Sequence, residues 1–190
     1  MEDSPCLRAT CLMTTLATRS SSLDRWALSL LSPDAELLRL ARRVAEATAA
    51  PVIGGISVFL HGYRRTTDDI DLFAADTAAI AEAVRGIGGV WNEKERQLEL
   101  SGVPIHLVTE AQTGGPPVEL VVLQGVPTVG LADLVRFKLH SGLDRPDRAQ
   151  DLADVVELIR RVPLTKRFAA RLPSEQRAPF RKLVDAVESA

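Results

Sequence analysis

Two carboxylates one residue apart, Asp69 and Asp71, are the most chemically specific feature of this 190-residue chain. They close the stretch GGISVFLHGYRRTTDDIDL, residues 54–72. In an extended strand successive side chains point to opposite faces. Asp69 and Asp71 then share one face, and Ile70 and Leu72 share the other, where they can enter a core. Two neighbouring carboxylates repel each other unless a cation compensates them. Hard oxygen donors at this spacing suit Mg²⁺, an ion that keeps waters and phosphate oxygens in its own shell.

The residues before the pair fit the same chemistry. Val52-Ile53 reads as a short buried strand, followed by Gly54-Gly55 and an apolar run, Ile56 to Leu60, long enough for one or two helical turns. A strand, two glycines and a helix start present backbone that phosphates can approach closely. Arg64, Arg65, Thr66 and Thr67 add cations and hydroxyls suited to a polyphosphate.

In order, Gly54, Gly55, Arg65, Thr67, Asp69, Asp71 and Leu72 give G-G, about ten residues, then R-x-T-x-D-x-D and a hydrophobic residue. This resembles the polymerase-β-type nucleotidyltransferases, and within them the branch of the AbiEii-type toxins and small MNT proteins. A second segment, Leu131, Leu134, Lys138, Arg145, Asp151 and Asp154, is similar to the helical pair those proteins carry. The resemblance covers roughly residues 50–160, with gaps. It implies a small mixed β-sheet flanked by helices, an α+β fold. It further implies NMP transfer from an NTP to a hydroxyl acceptor: an RNA end, a protein side chain or a small molecule such as an aminoglycoside or lincosamide. One or two Mg²⁺ ions on Asp69 and Asp71, with Mn²⁺ as substitute, would serve the reaction. Gly54, Gly55, Arg65 and Thr67 would hold the nucleotide. Lys138 would reach its phosphates, and Asp151 would orient that lysine or its helix. A toxin–antitoxin role with a partner protein rests on the resemblance alone.

Two positions depart from the family pattern. A third carboxylate usually sits on a later strand, in the place of Val103–Val108 here, where this chain has His106. A neutral imidazole can act as a base near pH 7, but it is a poor Mg²⁺ ligand. Glu99, on the neighbouring expected strand, is the alternative if it faces the cleft; a hydrogen-bonded histidine without a role is the plainer reading of His106. The second departure is Gly55, where many relatives have serine; Ser57 is the nearby hydroxyl that could reach a phosphate. With the third carboxylate gone, the competing reading is a module that binds nucleotide or partner and has lost transfer activity.

The elements that must position these residues follow from periodicity. Pro33 to about residue 49 reads as a helix opened by a Ser32 cap, with Leu37, Leu38, Ala41, Val44 and Ala45 on one stripe. Asp76 to Arg85 reads as a helix. Val90-Trp91 is a strand start, with Trp91 read as core or rim rather than as a stacking platform. Gln97–Leu100 and Val103–Val108 form a hairpin about Ser101-Gly102, and Val118–Leu123 is a further strand. Thr128–Leu143 and Arg148–Arg161 read as a helical pair, with short helices after it. The organisation expected is a disordered tail over 1–22, a core over 23–125 and a helical part over 126–190 within one compact unit.

Composition narrows the class. Apolar residues make up 46% of the chain and the net charge is −2, with a pI near 6.0, so the chain has ample material for a core and is not a basic nucleic-acid coat as a whole. Eight Lys and Arg residues nonetheless fall between Arg160 and Lys182, with Glu175 the only acid among them. That stripe suits an RNA backbone, and equally a solvated helical face. No apolar run is long enough for a membrane-spanning helix. Cys6 and Cys11 are too few for a disulfide framework or a four-ligand zinc site, and a cytoplasmic protein is expected.

Overall fold

The structure, a computed structural model, describes residues 33–143 and 145–189. The tail over 1–22, Cys6, Cys11 and the Ser32 cap lie outside the described residues. From the N-terminal side come α1 (Pro33–Thr48), β1 (Val52–Ile53), α2 (Gly54–Leu60), β2 (Ile70–Ala74) and α3 (Thr77–Gly86). Next are β3 (Val90–Asn92), β4 (Gln97–Leu100), β5 (Val103–Thr109) and α4 (Glu110–Thr113). The hairpin β6 (Leu120–Leu123) and β7 (Val126–Val129) leads into α5 (Leu131–Leu143), α6 (Ala149–Arg161) and α7 (Ser174–Glu188).

All seven strands form one mixed sheet in the order β3-β4-β5-β2-β1-β7-β6. The β2 strand is its hinge point: parallel to β5, with Asp71 beside His106, and antiparallel to β1, with Asp71 beside Ile53. Alternation along these strands creates two cores, one on each face. Val52, Ile70, Leu72, Leu98 and Ile105 bury against Ala41 and Val44 of α1 and Ile80 and Val84 of α3. Ile53, Phe73 and Val129 bury against Leu134, Val135, Val155 and Leu158 of α5 and α6, and Phe180 of α7. Both faces of the central strands are therefore covered, which is why β2 reads as almost wholly apolar apart from Asp71. The α3 helix is fixed at its start by Asp76, whose carboxylate accepts from the amides of Ala78 and Ala79, both at 3.0 Å.

The expected α+β class and the β2, β4–β5 and helix 33–48 elements are present. One element differs in kind. Thr128 does not open a helix; it lies in β7, between β1 and β6, and α5 starts at Leu131. The strand is short, contains Pro127, and turns from β6 through Gln124-Gly125 rather than Asn-Gly. Each of these features weakens a hairpin signal. The sheet thus extends into the part of the chain read as helical.

Thr128 is fully buried, and its hydroxyl donates to the Val52 carbonyl at 2.6 Å, with the Ser57 hydroxyl 2.9 Å away. This buried polar pair ties α2 to β1 and β7. Thr128→Val leaves the Ser57 hydroxyl buried without its partner and should cost about 1–3 kcal/mol in urea unfolding. Ser57→Ala should cost about 1 kcal/mol and leave nucleotide affinity at the wild-type value; a loss of nucleotide affinity without a loss of stability would return Ser57 to the binding site.

Candidate functional site

The face that carries Asp71 continues backwards beyond the strand. From Tyr63 to Asp69 the odd-numbered residues are half-buried and the even-numbered ones exposed. Arg65, Thr67, Asp69 and Asp71 consequently point inward together, as an extended segment with a period of two requires. Asp69 itself lies one residue before β2, not within it. Thr67 Oγ1 donates to Asp69 Oδ1 at 2.8 Å and fixes that carboxylate.

The two glycines are explained by what lies over them. Gly54 has φ +65°, and a Cβ there would fall 1.8 Å from Asp71 Oδ2. Only glycine fits both the backbone and the space. A Cβ on Gly55 would fall 2.5 Å from Thr67 Oγ1 and 2.7 Å from a guanidinium nitrogen of Arg65. The space a serine would use at 55 is filled by Thr67 and Arg65. Ser57 is not brought to the site at all; it is fully buried beside Thr128, between α2 and β7.

His106 on β5 faces the carboxylates. Its Nδ1 lies 3.4 Å from Asp69 Oδ2 and 3.3 Å from Asp71 Oδ1. The hydrogen bond to Asp69, then that to Asp71, pushes the imidazole up to about 10, while the His106 contact holds Asp69 down to about 2. The imidazolium supplies the compensating cation in the absence of a metal. Asp69, Asp71 and His106 each offer a ligand atom, all within 4.8 Å of one another. Two such oxygens fit a hard divalent ion, for which the imidazole nitrogen is the poorer ligand. Glu99 is not in this group. It lies two strands from β2, and its Oε1 accepts from Gln97 (2.9 Å) and Asn92 (2.7 Å), which lower its pKa.

Asp71 and His106, with Gly54 beside them, line a cleft of about 710 Å³. Lys138, Arg145, Arg148 and Asp151 from α5 and the start of α6 line it as well. Lys138 is buried, with Nζ 2.6 Å from Asp151 Oδ1 and 2.8 Å from Asp154 Oδ2. Arg148 bonds the other Asp151 oxygen at 2.9 Å, and Arg65 Nε lies 3.2 Å from Asp154 Oδ1. Burial works to raise Asp151, but Lys138, Ser141 and Arg148 outweigh it and the carboxyl lies below its ordinary value. Arg65 is therefore anchored behind the floor by Asp154, while Lys138 stands at the wall. Asp154 and Arg148 matter more than sequence reasoning allowed. The available signal was spacing: 151 and 154 lie on one helical face.

Four of the eight basic residues at 160–182 make ion pairs. Arg160 and Arg161 pair with Glu157, Lys166 with Asp185, and Arg171 with Glu119. Acids outside the stripe supply the partners. Among the described residues, no helix is long and apolar enough to cross a membrane. Compared with models of protein families and with curated proteins, the chain gives no match.

The charge clamp has a defined pH window. His106 has a folded pKa raised above 6.5, so its contribution is full below about 6.5 and is lost as pH rises through about 10. Asp69 is depressed below 3.8, so its contribution is present above that value and is lost as pH falls through about 2. In metal-free solution His106→Ala should therefore destabilise most between about pH 4 and 6.5, by about 1 kcal/mol or less given solvent access, with the difference vanishing toward pH 10. A pH-independent difference in urea midpoints would contradict the clamp.

Proposed function

We propose that the chain is a divalent-metal-dependent nucleotidyltransferase of polymerase-β type, moving NMP from an NTP to a hydroxyl acceptor. The observation that carries this reading is the convergence of Asp69, Asp71 and His106, of which Asp71 and His106 line a cleft that Lys138, Arg145 and Arg148 also line. Asp69 and Asp71 would hold a divalent metal, which would supply positive charge against the α-phosphate and the departing pyrophosphate. The chain's own residues do the rest. Thr67 and Gly54 hold the two carboxylates in place. Lys138 and Arg148, oriented by Asp151, would meet the phosphates. The acceptor oxygen attacks the α-phosphorus, the bond to the β-phosphate oxygen breaks, and pyrophosphate leaves. The hydroxyl proton passes to His106 once that imidazole is neutral, or to water.

The register places His106 directly beside Asp71, where the resemblance leads one to expect a carboxylate. This favours, as a second reading, a nucleotide- or partner-binding module of the same fold with transfer activity reduced or lost.

Transfer from α-labelled NTPs to total RNA or lysate protein, with Mg²⁺ or Mn²⁺, separates the two. Wild type should label an acceptor, with a rate that rises with pH as His106 loses its proton. Asp71→Asn should fall to background with its fold intact. His106→Asp should raise Mg²⁺-dependent transfer and flatten the pH profile. If wild type and His106→Asp both transfer nothing between about pH 6 and 9, the binding-module reading replaces the enzyme.

A further inference from the structure

The two edge strands of the sheet, β3 and β6, differ in what guards them. An open edge invites pairing with another chain, and charged side chains are an ordinary guard against it. The β3 strand, Val90–Asn92, runs straight into Glu93, Lys94, Glu95 and Arg96. The β6 strand has no such guard. From Val118 to Val126 the chain carries one charge, Glu119, and no proline. Val118, Leu120 and Val122 are 89%, 63% and 67% exposed, so an apolar stripe lies open along this edge.

The backbone of β6 is open along the same edge. The Gly130 N–H donates to the Glu119 carbonyl at 2.8 Å, and the register Leu120–Val129, Val121–Thr128 continues from that pair. In an antiparallel ladder residues alternate between bonding their neighbour and facing away from it. Glu119, Val121 and Leu123 therefore face β7, while Leu120 and Val122 direct their N–H and C=O groups outward. Among the described residues the sheet has no strand beyond β6. The start of the strand is held in place: Asp133 Oδ2 accepts from the amides of Val118 and Glu119 at 2.7 and 2.8 Å, and Glu119 pairs with Arg171 at 3.1 Å. The edge is thus ordered before any partner arrives, which lowers the ordering cost of binding.

We propose that two copies of this chain join through β6, antiparallel about a two-fold axis at Val121, so that their sheets become continuous. Strand addition of this kind takes its affinity from main-chain hydrogen bonds. The register follows from which groups are open. Outward residues must meet outward residues, and about an axis at Val121 Leu120 of one copy meets Val122 of the other. That register uses the open groups of both residues, because the Val118 amide is already taken by Asp133. Charge fits the same occupant. Glu119 then lies opposite Leu123 of the other copy, so the one charge of the segment does not meet itself, and an uncharged strand needs no complementary charges from a different partner. The contact is isologous and closes at two copies. It stands independently of the nucleotidyltransferase reading, since β1 and β7 separate β6 from the strand of Asp71.

The test uses the full chain in sedimentation equilibrium from about 1 to 500 µM, a range that brackets the weak affinities of small interfaces, with amide exchange followed by NMR on the same samples. Wild type should rise from the 20.6 kDa monomer toward twice that mass. Its Leu120 and Val122 amides should exchange more slowly as concentration rises, while the Val121 amide, bonded to β7, is slow throughout. Leu120→Lys and Val122→Lys place a charge on the open edge at exposed positions. Both should stay monomeric over the series and melt like dilute wild type. A wild type that stays monomeric overturns the proposal; slow exchange of Leu120 and Val122 in that monomer would assign the edge to another segment of the same chain. Association that leaves these two amides fast, or that persists in both lysine variants, places the interface elsewhere and overturns it. So does a mass that grows past the dimer, since a two-fold contact closes.

Discussion

Asp69 and Asp71 repel each other across one face of the β2 segment, and that repulsion sets what their surroundings must supply. The strand cannot relieve it by turning one carboxylate away, because a shift of one residue would drive Ile70 and Leu72 out of a core in which both are fully buried. The carboxylates are locked together by the apolar residues that alternate with them. Compensation has to come from outside the strand, and in the structure it comes from the parallel neighbour, through His106.

A second electrostatic assembly stands behind the first. Lys138, Asp151 and Asp154 are all nearly excluded from solvent, and such groups persist only when each charge is answered. The assembly connects two parts of the chain far apart in sequence: Asp154 on α6 holds Arg65, which lies over Gly55 in the segment that carries Thr67 and Asp69. The helical pair is therefore coupled to the carboxylates through a guanidinium and not only through the apolar contacts of Leu134 and Val135. The cleft lies between these two assemblies, with negative charge on its floor and positive charge on its wall, a polarity that suits a metal-bound polyphosphate.

Much of this was legible in the sequence because it depends on local period. The shared face of Asp69 and Asp71 follows from alternation alone, and the apolar stripes of α1 and α6 from helical spacing. The failures share a different cause. Thr128 precedes an apolar run, as a helix cap does, while its actual place is fixed by a strand pairing with Val52, 76 residues away. Ser57 lies near the glycines in sequence, but its hydroxyl turns into the core to meet that same threonine. Arg160 and Arg161 pair with Glu157 at i,i+3 and i,i+4 along α6, a spacing the sequence does show, whereas Lys166 meets Asp185 through the packing of separate elements. The anchoring of Arg65 by Asp154 belongs to the same class of long-range contact.

The most direct measurement is Mn²⁺ binding, followed by electron paramagnetic resonance, in wild type, Asp69→Asn and Asp71→Asn, with melting temperatures recorded on the same samples. If the carboxylate pair exists to hold a cation, wild type takes up Mn²⁺ near neutral pH and is stabilised by it, while each variant loses the bound signal and loses no more stability than its contact with His106 supplies, about 1 kcal/mol or less. Mn²⁺ uptake unchanged in both variants, or no uptake by wild type together with a large loss of stability in the variants, would show that the pair is structural.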